Sequence, residues 1–245
     1  MAQAPAADQV RLLTVQDLDT RVQQARHRLE TLPARSELAA LDAKATELRA
    51  ARIEAETTVS DIKREVTKAE DDVQAVRARA ERDNARLLSG GMTPRELQGL
   101  QSELEVLAKR QADLEEVELD AMQRLEDAEA TLAKVSEALV DVDSSRTEVS
   151  TRLDEESAAI EAEVTELLAE RAAVADTIDV ELMKLYEKLR TQHGGVGAAA
   201  LVRGACEGCH MSLNPGDLSA IESRPADAVV RCEECGRILV RGAGT

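Results

Sequence analysis

The chain has 245 residues and a formal net charge of −17, and charged residues make up 32% of it. It contains one tyrosine, Tyr186, and neither phenylalanine nor tryptophan, which excludes the aromatic-rich core that a globular domain of this length would normally have. No run of about eighteen uncharged apolar residues occurs, which excludes a membrane-spanning helix.

The N-terminal segment, residues 1–8, is predicted to be disordered. It also lacks the apolar core that a secretory signal requires, so we expect a cytoplasmic protein whose thiols are reduced. From Val15 to Leu32, apolar residues recur at alternating spacings of three and four, which predicts a helix. Pro33 should break or kink this helix, because proline lacks a backbone donor and clashes with the preceding turn.

Two long apolar stripes follow, one from Leu38 to Leu87 and one from Leu97 to Val142. Each keeps the alternation of three and four residues for about seven heptads, which predicts coiled-coil helices. Polar residues interrupt each stripe only twice, at Arg52 and Asp83 in the first and at Gln111 and Glu118 in the second.

The segment between the stripes, near residues 89–93, has the sequence of a tight connection. Gly90 or Gly91 can adopt the left-handed conformation that ends a helix, and Thr93 with Glu96 fits a capping box. A connection this short joins antiparallel neighbours. Residues 9–193 are therefore predicted to form an antiparallel coiled-coil hairpin.

The returning helix carries an irregularity of its own. Its strict stripe ends at Val142, Asp143 and two serines follow at 144–145, and a looser stripe continues from Val149 to Leu189. Folding the chain about residue 92 brings this irregularity opposite Pro33, so the pattern fits either a hinge or an immobile stutter. The helix should end near His193, before a cluster of glycines.

The last segment, residues 194–245, contains all four cysteines in two C-x-x-C pairs, which are Cys206, Cys209, Cys232 and Cys235. Each pair fits a tight turn that directs two thiolates at one point, and two such turns make a closed tetrahedral zinc site. We predict one structural Zn²⁺ in a small β zinc ribbon. Iron is the alternative, since the same geometry suits both metals. His210 is interpreted as a surface residue or a neighbour of the site, because four cysteines complete the ligand set.

The motifs of catalysis are not found in the sequence. The glycines at 194–197 lack the lysine of a phosphate-binding loop, and the three histidines are far apart along the chain. A closed metal site also leaves no position for a substrate. We therefore expect no enzymatic activity and no small-molecule substrate.

The distribution of charge along the chain indicates which classes of partner are favoured. Residues 194–245 account for only −1 of the net charge and the rest of the chain for −16, so the hairpin should repel nucleic acid and anionic membranes. Any phosphate contact would have to come from the ribbon, through Arg203, Arg231, Arg237 and Arg241. The favoured partner is a protein, and self-association of the hairpin is the simpler form of that interpretation.

The chain resembles the bacterial C4-type zinc-ribbon proteins, in which an N-terminal helical hairpin precedes a C-terminal ribbon. The resemblance rests on residues 12–19, 27–33, 95–104, 206–213 and 232–239. It implies that Cys206, Cys209, Cys232 and Cys235 are zinc ligands. Some relatives are described as regulators or chaperone-like partners of a sigma factor, and nucleic-acid binding has been proposed for the ribbon. The resemblance thus implies an interaction scaffold or chaperone-like regulator in transcription or a related process.

Overall fold

The computed structural model describes residues 3–242, and the predictions for residues 1–2 and 243–245 lie outside them. Five helices are present in this range: α1 (Ala6–Glu30), α2 (Pro33–Leu88), α3 (Pro94–Ala175), α4 (Val180–Gln192) and α5 (Pro215–Glu222). Four short strands complete it: β1 (Ala198–Val202), β2 (Ala205–Cys206), β3 (Val230–Arg231) and β4 (Ile238–Val240). The mainly helical fold with a helical hairpin and a small C-terminal strand region is confirmed. Among these residues, no helix is both long enough and apolar enough to span a membrane.

Contacts divide the chain into two compact units. Residues 36–150 form one unit, and residues 3–35 together with 151–242 form the other. The first contains most of α2 and the first part of α3. The second contains α1, the rest of α3, α4 and the strand region.

In the unit of residues 36–150, α2 and α3 pack against each other in antiparallel directions. Cross-helix ion pairs fix the register, with Lys63 beside Glu129 at 2.7 Å and Arg77 beside Glu115 at 2.6 Å. Apart from Val149, the buried residues are members of the two predicted stripes, namely Ala45, Val59, Ile62, Val66, Ala69 and Val73 on α2 and Leu100, Leu107, Leu114, Ala121, Leu139 and Val142 on α3. The periodicity of the sequence thus corresponds to a real seam.

The connection between α2 and α3 contains Gly90 and Gly91, both with positive φ. Thr93 and Glu96 form the predicted capping box: the Thr93 amide donates to Glu96 Oε2 at 2.9 Å, and the Glu96 amide donates to Thr93 Oγ1 at 3.4 Å. These bonds satisfy backbone donors at the start of α3 that have no partner within the helix.

The N-terminal segment differs from its predicted disorder where it is described. Gln3 pairs with Ala228, the Ala4 amide donates to the Asp227 carbonyl at 2.8 Å, and α1 begins at Ala6. The side chain of Gln9 holds the Ala4 carbonyl at 2.9 Å. All but one of these partners are more than 200 residues away in the chain, so local sequence could not reveal them.

The predicted helix end near His193 is also only partly right. The returning helix continues through residues 143–145 but ends at Ala175, and a new helix begins at Val180. The Asp179 carboxylate caps this new helix, accepting from the amides of Glu181 and Leu182, each at 3.0 Å. An aspartate followed by an acidic first turn is the signal that could have located this break.

The strands form one sheet in the order β2-β1-β4-β3. β1 lies parallel to β4, with Ala198 opposite Ile238, and the other two pairings are antiparallel. One face of the sheet packs against the helices in a cluster that includes Leu12, Val15, Leu182, Tyr186, Ala198, Ile238 and Val240. The strand region and the helices around it therefore share a core.

Candidate metal centre

Two turns bring the four cysteines together. Cys206 ends β2, Cys232 directly follows β3, and the second cysteine of each pair lies three residues further on. The four sulfur atoms all lie within 4.8 Å of one another, with Cys206 and Cys235 at 4.0 Å and Cys209 and Cys232 at 3.9 Å. Zn–S bonds of about 2.3 Å in a regular tetrahedron require sulfur separations of about 3.8 Å. The residues therefore fit a tetrahedral Zn²⁺ with four sulfur ligands.

The two cysteine turns have the same backbone construction. The His210 amide donates to the Cys206 carbonyl at 2.7 Å, and the Gly236 amide donates to the Cys232 carbonyl at 2.8 Å. Both donors directly follow the second cysteine of their pair, and both lie in the left-handed region, with φ of 60° and 72°. His210 is exposed and is not part of the group of sulfur donors. What His210 contributes to the turn is its backbone conformation.

Burial and hydrogen bonds set the protonation of the metal-free thiols. Burial raises the pKa of Cys206 to about 12 and also raises the pKa of Cys232. Burial opposes ionisation of Cys235 as well, but the backbone amide and side chain of Arg237 donate to its sulfur and lower its pKa to about 7. A cation would have to displace protons from this site before the thiolates could bind it.

The segment leading into the ribbon is held by Gln16 of α1. Its Oε1 accepts from the Gly197 amide at 2.7 Å, and its Nε2 donates to the Gly195 carbonyl at 3.1 Å. Gly197 has no room for a side chain, because a Cβ would lie 2.8 Å from the ring of Tyr186. One glutamine thus ties residues 195–197 to the first helix.

A buried polar cluster surrounds the chain's single aromatic ring. The Tyr186 hydroxyl donates to Asp19 Oδ2 at 2.7 Å, and Arg171 donates to both oxygens of the same carboxylate at 2.9 and 3.2 Å. Burial, together with the neighbouring Asp19, raises the pKa of Tyr186. The sequence pattern indicates no role for Asp19, Gln16 or Arg171, because their partners come from distant segments.

The four arginines proposed for phosphate contact are not equally available. Arg231 donates to the Gly236 carbonyl at 2.7 Å, and Arg237 donates to the Val196 carbonyl at 3.0 Å. Arg241 donates to five backbone carbonyls around the end of α5. Arg203 is exposed and forms no hydrogen bond or ion pair with any of residues 3–242. Three of the four guanidinium groups are therefore used to hold the ribbon's own backbone.

Two family models match the chain. Residues 15–194 match a CT398-like coiled coil hairpin domain, and residues 205–239 match a C4-type zinc ribbon domain. The second match contains all four cysteines. Together with the sulfur geometry, it identifies a C4 zinc ribbon with a site for one structural Zn²⁺.

Similar proteins occur in bacteria. The chain is 34% identical over 245 residues to the uncharacterised protein Rv2229c of Mycobacterium tuberculosis, covering 98% of both chains. A solved structure from Mycobacterium smegmatis is 30% identical, with a TM-score of 0.84 over 98% of this chain and 100% of that one. The structure of CT398 from Chlamydia trachomatis is 24% identical, with a TM-score of 0.66 over 96% and 98% of the two chains, and shows the same fold.

Proposed function

Because the chain belongs to the family of proteins with a CT398-like coiled-coil hairpin, here followed by a C4-type zinc ribbon, we propose that it is a non-catalytic interaction scaffold. Its role is that of a chaperone-like regulator that binds another protein, in transcription or a related process. Cys206, Cys209, Cys232 and Cys235 hold the zinc ion that stabilises the ribbon.

The convergence of four sulfur donors on one point carries this proposal. A Zn²⁺ held by four cysteines has a full tetrahedral ligand set, so it offers no open position at which a water or a substrate could be activated. Such a metal stabilises a small fold whose apolar core alone would be marginal. The function of the ribbon then lies in the surface that it presents.

Exposed aliphatic side chains on the long helices support a protein partner. Leu88, Val106, Leu119 and Val140 each expose about two thirds or more of their surface, although the seam beside them is well packed. Apolar groups that the chain does not bury can be covered by a partner helix or by a second copy of the chain. The net charge of −17 favours a partner with basic groups at the rim of the interface.

Affinity capture from a cell lysate tests this proposal. The full chain is compared with a variant carrying Cys206→Ser and Cys232→Ser, which cannot complete the metal site. A protein bound by the wild type and lost with the variant uses the ribbon or the helices packed on it, and one retained by both uses the hairpin seam of residues 36–150. If neither bait enriches any protein above an unrelated acidic coiled coil, the proposal is contradicted. Light scattering over a range of concentrations separates self-association from a foreign partner.

The geometry favours nucleic-acid binding less, because Arg231, Arg237 and Arg241 already donate to backbone carbonyls. Tyr186 is buried, so the chain's one aromatic ring cannot stack on a base. A titration with a labelled oligonucleotide at low salt tests this alternative. We expect no binding. Binding that weakens steeply with salt would instead support phosphate contacts by the ribbon.

A further inference from the structure

A pocket of about 560 Å³ opens between the start of α1, the β1–β2 turn and α5, all within one compact unit. Its aliphatic wall is built from Val10, Leu201 and Leu218. Val10 remains 45% exposed there, whereas Leu12, Val15 and Leu18 of the same helix are buried. This volume suits a few amino-acid side chains and is in the usual range of ligand pockets.

The charged groups of the pocket are mostly cationic. Arg203, Arg224 and Arg241 line it, against one acid, Glu222. No carboxylate of residues 3–242 pairs with Arg203 or Arg241, since Arg203 has no partner and Arg241 bonds only backbone carbonyls. In a chain of net charge −17, a locally positive pocket is a distinctive feature. It is complementary to an anionic group that enters with apolar neighbours.

Arg203 occupies a backbone position that does not suit it. Arg203 and Gly204 form the two-residue turn between β1 and β2, with φ of 50° and 76°. Positive φ at both positions is the pattern of a type I′ hairpin turn, in which asparagine or glycine is strongly preferred at the first position. The left-handed conformation is unfavourable for a residue with a Cβ. The arginine therefore weakens the turn, and its own fold gains no hydrogen bond or ion pair from it.

We propose that this pocket binds a short acidic and aliphatic segment of a partner protein, with Arg203 donating to the carboxylate of that segment and the aliphatic wall covering a neighbouring side chain. The proposal rests on the proposed function and names the chemistry of one of its interfaces. A carboxylate is favoured over a nucleic-acid phosphate because the pocket has an aliphatic wall and no aromatic ring on which a base could stack.

A titration of the zinc-loaded full chain followed by amide chemical shifts tests the pocket. The probe is a blocked tetrapeptide of alternating aspartate and leucine, and the neutral control probe replaces each aspartate by asparagine. We expect saturable shifts at residues 201–204 and 218–224 with the acidic peptide and at least tenfold weaker binding of the neutral one. Equal binding of both peptides, or shifts caused only by inorganic phosphate, would overturn the proposal.

Arg203→Asn separates binding from folding. Asparagine suits positive φ, so this variant should keep its zinc and its midpoint of thermal unfolding, or unfold at a higher temperature, while it loses acidic-peptide binding at least tenfold. Arg82→Gln, an exposed arginine on α2, is the matched control and should bind like the wild type. Unchanged binding by Arg203→Asn would overturn the proposal.

The same variant distinguishes this proposal from the proposed function. A partner captured from lysate by the wild type and equally by Arg203→Asn would leave the scaffold function in place and remove the pocket from it. If neither bait captures a partner, the scaffold function fails, and the peptide titration still decides whether the pocket binds acidic segments.

Discussion

His210 and Gly236 hold equivalent positions in the two cysteine turns, and at both the chain must adopt positive φ. The amide of each closes its turn on the carbonyl of the first cysteine. At Gly236 the surroundings add a second constraint, because a Cβ would lie 3.1 Å from Arg231 Nη2. Histidine is tolerated at the first turn, since it is among the residues that enter the left-handed region more readily than most.

Gly236→Ala should weaken the second turn by about 1–2 kcal/mol, because the left-handed conformation is unfavourable for alanine. We expect faster loss of zinc to a chelator, followed with a zinc-sensitive dye. Gly99→Ala is the control: Gly99 is exposed on α3 with open space around it, so alanine should stabilise that helix by up to about 1 kcal/mol. Zinc loss from Gly236→Ala at the wild-type rate would show that the turn does not require the left-handed residue.

The affinity for zinc should become weaker as the pH is lowered. Burial raises the pKa of Cys206 to about 12 and also raises the pKa of Cys232, so both are protonated at neutral pH in the metal-free chain. Zinc binds the thiolates, and every proton that must leave makes binding weaker as pH falls. At least two protons are displaced, so the affinity should drop by about a hundredfold or more for each pH unit. Calorimetry in two buffers of different ionisation enthalpy measures the number of protons released. A zinc affinity that does not change between about pH 6 and 8 would contradict this expectation.

At the scale of elements, the link between the helices and the ribbon depends on Gln16. Its side-chain amide contacts the Gly197 amide and the Gly195 carbonyl, and the first of these bonds is buried. Gln16→Leu has a similar volume but leaves both backbone groups without their partner, which should cost about 2–4 kcal/mol. The measurement is the free energy of unfolding by urea.

Gln24→Leu is a useful comparison for Gln16→Leu, because Gln24 also lies on α1 and is exposed. Its effect should stay below about 1 kcal/mol. Similar free energies for the two variants would show that Gln16 does not carry the attachment of the ribbon.

The elements also show which features sequence can predict. The seam of α2 and α3 follows from periodicity alone, and the capping box at Thr93 follows from a four-residue motif, because both depend on near neighbours in the chain. The cysteine pairs predict their own convergence, since their spacing fixes two turns. The ordered structure of residues 3–8 and the cluster around Asp19 depend on partners more than 100 residues away. The break at 176–179 depends on a single capping side chain. Pattern reasoning has no access to the distant partners, whereas the Asp179 cap is a local signal that it could have used.

At the scale of the whole molecule, the metal should support one compact unit and not the other. Ribbon residues Ala198, Ile238 and Val240 share a core with Leu12 of α1 and with Leu182 and Tyr186 of α4. The seam of residues 36–150 contains no ribbon residue among those described. Loss of zinc should therefore loosen the ribbon and the helices packed on it and leave the hairpin seam intact.

Hydrogen exchange with and without a strong chelator tests this division. Removal of zinc should speed exchange of the amides in residues 198–240 and at the start of α1, with little change in residues 45–73 and 107–142. The circular dichroism of the helices should change only slightly. Equal acceleration over the whole chain would show that the two units unfold together.

X-ray absorption at the zinc edge of the purified full chain is the most direct measurement of the central claim, that a closed shell of four sulfurs holds the ribbon together. We predict four sulfur neighbours at about 2.3 Å and no oxygen or nitrogen neighbour. A water, an imidazole or any open position in the first shell, or iron in place of zinc, would contradict the account.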